Sequence, residues 1–82
     1  MEKNTVIKLK TFKGTLKPTT KVKDRENYWK LIGEKGIVID EADFNPEKVL
    51  VVFEKNIDDF DLENHNPIKN SLYIDKKDLE LY

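Results

Sequence analysis

The 82-residue sequence contains no cysteine, one tryptophan, one histidine and one methionine. Without cysteine, disulfides, thiolate metal centres and cysteine nucleophiles are excluded. Glycine and proline number three each, and no linker, repeat or low-complexity tract interrupts the chain. Long apolar runs are missing too. The longest, Val49–Phe53, falls far short of the roughly 18–20 residues that span a bilayer. The N-terminus carries lysines but no apolar h-region, so no secretory signal and a cytoplasmic location are expected. The length predicts one domain over residues 1–82. A domain of this size buries only about 60–65% of its unfolded surface and rarely holds a deep catalytic cavity.

Net charge is also small, at −1, but it hides a polar chain. Residues 1–31 hold nine basic and three acidic side chains; residues 32–82 hold six lysines and thirteen carboxylates. Two consequences are open: one surface that attracts phosphates or acidic proteins, or two halves that lie side by side and neutralise each other. With a Debye length of about 8 Å at physiological salt, only clustered charges reach a partner.

Hydrophobic patterning predicts short strands. In Val6–Phe12, Ile7 and Leu9 point one way and Lys8 and Lys10 the other, with Gly14 marking a turn. Leu16–Lys23 contains Pro18 and alternating Lys21-Val22-Lys23, which fits an edge strand or loop. Asp24–Ile32 predicts the one short helix or 3₁₀ turn, capped by Asp24 and closed by a left-handed Gly33. Gly36–Ile39 is a β-branched strand. Val49–Phe53, apolar on both faces, reads as the central strand. Ile57–Asn66 predicts an acidic loop pinned by Phe60 and Leu62. Ser71–Asp75 alternates with Tyr73 outward, Asp75–Asp78 is one tight turn, and Leu79 and Leu81 close the core. The expected fold is therefore all-β, a small barrel of five to six short strands.

The stretch Leu31-Ile32-Gly33-Glu34-Lys35-Gly36-Ile37-Val38-Ile39 resembles the glycine-plus-hydrophobic signature of KOW-type modules. Asn70-Ser71-Leu72-Tyr73-Ile74 with Lys77-Asp78-Leu79-Glu80 is similar to the last strand, 3₁₀ turn and terminal strand of an SH3-like barrel. Together these resemblances cover roughly residues 28–82 and imply an SH3-like barrel, a scaffold for many functions. The acidic-aromatic cluster with which signalling SH3 domains hold polyproline is missing, and only Lys35 sits beside Gly36. The whole chain also resembles uncharacterised small bacterial proteins bearing an aromatic pair, a glycine pair and a His-Asn, which implies no activity.

No nucleophile motif, phosphate-cradling loop or dinucleotide fingerprint is present, so neither an enzyme nor a cofactor is expected. His65 stands among Asp61, Glu63, Asn64 and Asn66, but one imidazole in a run of hard oxygens makes a poor metal site. His65 and Asn66 are expected to shape the turn before Pro67. The aromatics are the stronger lead. Adjacent Tyr28 and Trp29 cannot both face the core, and Tyr73 points outward. An exposed aromatic beside lysines suits peptide recognition or base stacking, and equally suits simple packing over lysine stems. The candidate binding surface is Tyr28, Trp29, Tyr73, His65, Asn66, Lys8, Lys10, Lys21 and Lys23. The expected function is a non-catalytic adaptor that binds a protein partner. The alternative is a nucleic-acid-binding barrel using the N-terminal lysines and an aromatic. No membrane partner is expected.

Overall fold

The computed structural model describes all 82 residues. Five strands form: β1 (Val6–Leu9), β2 (Lys35–Glu41), β3 (Lys48–Phe53), β4 (Ser71–Asp75) and β5 (Leu79–Leu81). All neighbours are antiparallel, in the order β4-β3-β2-β1-β5. The chain meanders from β1 to β4, and β5 then returns to the free side of β1. No helix is long and apolar enough to cross a membrane.

Period-two alternation builds the inner face. Ile7 and Leu9 of β1, Val38 of β2, Val49, Val51 and Phe53 of β3, and Leu72 and Ile74 of β4 are buried. Leu31, Ile57 and Leu62, from the segments between strands, complete the core with Tyr28 and Leu79. Each fully buried aliphatic or aromatic side chain contributes about 1.5–3 kcal/mol of transfer free energy. Gly36 is buried in β2 against β3. A Cβ there would lie 2.8 Å from Val51 Cγ1 and 2.9 Å from the Val52 carbonyl oxygen, so no larger residue fits without spreading β2 from β3. Further along β2, the register slips between Val38 and Asp40. This bulge bends β2 and raises its twist.

Several expectations change. The sheet is a single open one: β4 and β5 lie at its two ends, so a closed barrel is not what the hydrogen bonds define. The middle strand is β2, and the apolar β3 is interior but second from the edge. Of the edge strand or loop expected over Leu16–Lys23, the loop forms, because Pro18 and the absence of a pairing neighbour leave the segment unpaired, with Val22 half-buried between exposed lysines. Asp24–Ile32 resolves into two 3₁₀ turns, Asp24–Glu26 and Tyr28–Leu31, and the Asp24 side chain caps neither. Gly33 is left-handed, with φ of 94°. Leu79 is buried, but Leu81, the last residue of β5, is 74% exposed.

Candidate binding groove

The long β1–β2 connection, residues 10–34, folds back twice. First, Phe12 and Thr15 form a two-residue hairpin, Phe12 N–H donating to Thr15 O at 2.9 Å and Thr15 N–H to Phe12 O at 3.1 Å. Its two central residues, Lys13 and Gly14, have φ of 52° and 79°, the paired positive φ that a type I′ turn requires. Second, the 3₁₀ turn Tyr28–Leu31 turns Tyr28 inward and leaves Trp29 half-exposed. The two folds meet. The Phe12 ring packs edge-on against Trp29, centroids 4.9 Å apart at 79°, and tilts against Tyr28 at 5.8 Å, within the range where aromatic pairs add attraction beyond area burial.

Hydrogen bonds fix both rings. Trp29 Nε1–H donates to Thr15 Oγ1 at 3.0 Å, and that hydroxyl donates onward to the Lys17 carbonyl at 2.7 Å. Tyr28 donates its hydroxyl to the Glu63 carbonyl at 2.6 Å, and Glu63 N–H reaches back to the Arg25 carbonyl at 2.8 Å. Burial pushes the Tyr28 phenol above its usual value, with the charges of Glu26 and Glu63 adding to the effect.

Beneath the hairpin lies Asp78, a carboxyl only 1% exposed. It accepts from Thr11 Oγ1 at 2.5 Å, Gly14 N–H at 2.8 Å and Lys13 N–H at 3.0 Å. Its backbone carbonyl takes the Lys10 and Thr11 N–H groups. The 3₁₀ turn Lys76–Asp78 between β4 and β5 thereby clamps the hairpin that carries Phe12.

The result is an open groove of about 440 Å³ lined by Phe12, Val22, Tyr28 and Trp29 and ringed by Lys13, Lys21, Lys23 and Glu26. Four of the nine residues expected from sequence, Tyr28, Trp29, Lys21 and Lys23, lie together here. The others do not. Lys8 points from the outer face of β1 toward Glu80 of β5, 3.3 Å away. Lys10 is exposed beyond β1 and does not line the groove. Tyr73 stacks edge-on with Phe44, centroids 4.9 Å apart. Asn66 donates its amide to the Ser71 carbonyl at 3.0 Å, holding the loop that enters β4.

His65 Nε2 stands 3.6 Å from Glu26 Oε1 and 3.9 Å from Glu63 Oε2. These three exposed side chains bring ligand atoms within 4.8 Å of one another and are the residues that could hold a cation. A protonated imidazole satisfies the same two carboxylates without one.

Sequence reasoning passed over Phe12, Lys13, Val22, Glu26, Thr15 and Asp78. A two-residue turn ending in glycine between Phe12 and Thr15 was a usable hairpin signal; nothing local distinguished Asp78. Comparison with protein-family models, curated proteins and solved structures finds no match to this chain.

Proposed function

We propose that the protein is a non-catalytic binding module that engages a protein partner through the groove between the Phe12–Thr15 hairpin and Tyr28–Trp29. One observation carries this reading: a half-exposed tryptophan held in one orientation, with Thr15 taking its indole N–H and Phe12 against its ring. A preset aromatic surface loses little conformational entropy on binding, which is why tryptophan and tyrosine dominate interface hot spots. The finer fold reading is an SH3-like barrel. A four-strand meander, a bulged β2, a 3₁₀ turn before β5 and the return of β5 to β1 support it. Gly36 followed by Val38 supports the likeness to KOW modules. The proposed location is the cytoplasm.

The test is capture of partners from nuclease-treated lysate on the wild-type protein and on a Lys13→Gln, Lys21→Gln, Lys23→Gln variant. A protein retained by the wild type and lost by the variant supports the reading. Retention by both, with loss on Tyr73→Ala instead, moves the interface to the Phe44–Tyr73 face. A second reading, nucleic-acid binding, is favoured by lysines flanking a half-exposed indole. It requires that capture vanish after nuclease treatment and weaken by about one log-log unit per phosphate contacted as salt rises.

A further inference from the structure

We infer that the groove selects an acidic, extended peptide segment. Its carboxylates face Lys13, Lys21 and Lys23, and one apolar or aromatic side chain lies on Phe12 and Trp29. This rests on the protein-binding reading above and adds the chemistry of the partner.

Charge placement is the first ground. Five of the fourteen lysines pair with carboxylates, Lys8 with Glu80, Lys35 with Glu54, Lys48 with Asp75, Lys55 with Glu34 and Lys76 with Glu41, and the other nine, Lys77 of the β4–β5 turn among them, do not. Lys13, Lys21 and Lys23 have no such partner within 4.0 Å, and all three line one groove. The single carboxylate in that lining, Glu26, faces His65. Lys77 adds a further ammonium beside the hairpin, 3.8 Å from where a side chain on Gly14 would begin. The Lys13 ammonium stands 6.0 Å over the Phe12 ring, which keeps water from one side of it, and an incoming carboxylate is attracted more strongly there than at a fully wet surface.

The indole supplies the second ground. Its only donor is already committed to Thr15, so Trp29 offers a partner a π surface and no hydrogen bond. Selectivity for a polar group then falls to the lysines, and the ring accepts an apolar side chain.

The surroundings separate a short acidic segment from a nucleic acid. Tyr28 ties the groove wall to the Glu63 carbonyl, and Lys30 reaches the Phe60 carbonyl, so the acidic loop that carries Asp58, Asp59, Asp61 and Glu63 is tethered to the turn that carries Trp29. A phosphate backbone running on past the lysines meets this negative flank, whereas a peptide can carry its carboxylates over the lysines alone.

The experiment titrates the full chain and follows Trp29, its only tryptophan, by fluorescence. The probes are a short peptide with one phenylalanine flanked by glutamates, its glutamine counterpart, its lysine counterpart, and single-stranded oligothymidylate. The glutamate peptide is expected to bind about tenfold more tightly than the glutamine one, as three partly exposed charge pairs allow. That difference shrinks as salt rises above about 0.15 M. It disappears in the Lys13→Gln, Lys21→Gln, Lys23→Gln variant, whose unfolding midpoint stays unchanged. Equal affinity for the glutamate and glutamine peptides overturns the acidic preference while leaving the groove a peptide site. A Trp29 response to the oligonucleotide but to none of the peptides overturns both readings in favour of nucleic acid. No response to any probe overturns the inference, and the capture experiment then decides the protein-binding reading separately.

Discussion

Removing the Asp78 carboxyl should cost the protein a large part of its stability and loosen the groove with it. The side chain is almost wholly buried and accepts three hydrogen bonds from residues 64 to 67 positions earlier. Bonds to a charged acceptor contribute about 1.5–3 kcal/mol each, and stranded buried donors cost about 1–3 kcal/mol. Lys13 and Gly14 are exposed residues, so their N–H groups can turn to water and the loss stays below the simple total. For Asp78→Ala we expect a loss of about 2–4 kcal/mol, against the roughly 4–12 kcal/mol that a chain of this length commands. With a urea dependence near 1 kcal/mol per molar, the midpoint should fall by about 2 M or more. Asp78→Asn keeps one acceptor oxygen but presents an N–H₂ to a donor, and should lose about half as much. Because the hairpin also positions Thr15 under the Trp29 indole, native-state fluorescence should shift red in both variants as water reaches the ring. Urea unfolding and emission spectra measure the two effects together. An Asp78→Ala variant that loses under about 1 kcal/mol, or that keeps the wild-type Trp29 emission, refutes the claim that this carboxyl holds the groove together.

Other consequences follow from single contacts. Gly36→Ala should destabilise by about 1–3 kcal/mol in thermal or urea unfolding, because the new methyl meets the Val52 backbone as well as the Val51 side chain. Gly33→Ala meets no atom within 4 Å and should cost only its left-handed backbone, about 1 kcal/mol. Leu79→Ala should cost about 2–4 kcal/mol, while Leu81→Ser stays within about 0.5 kcal/mol, because only the first is buried. Tyr28 holds its proton more tightly when folded than its ordinary value of 10.0. The folded state therefore keeps a proton that the unfolded chain releases. This stability is fully present below pH 10.0 and is lost as pH rises through the folded value. Tyr28→Phe should flatten that alkaline decline in a series of unfolding curves against pH.

Much of the sheet was legible locally. Ile7 and Leu9, Leu72 and Ile74, and the β-branched run after Gly36 alternate or cluster as strands must, and they sit where those patterns place them. Adjacency alone keeps Tyr28 and Trp29 from both facing the core, and the fold decides that Tyr28 is the buried one. Less was legible at the groove. Lys8 and Lys21 look equivalent in sequence, each a lysine beside an apolar residue, yet β5 brings Glu80 to Lys8 and brings nothing to Lys21. By the β1 alternation Phe12 falls on the face of Lys8 and Lys10, and only the turn at Lys13-Gly14 brings it to Trp29.

The amino-acid order by itself determined that the β1, β2, β3 and β4 segments extend, that Ile7, Leu9, Leu72 and Ile74 face inward and that positive charge gathers ahead of negative. These depend on side-chain period and composition, which a short window contains in full. Tertiary structure alone decided that Asp78 is buried, that Phe12 meets Trp29 and that Lys8 is matched while Lys21 and Lys23 are not. Each of those outcomes depends on a partner distant in the chain, and the free energy of a hydrogen bond, a ring contact or an ion pair is set by the distance in space that the whole fold imposes.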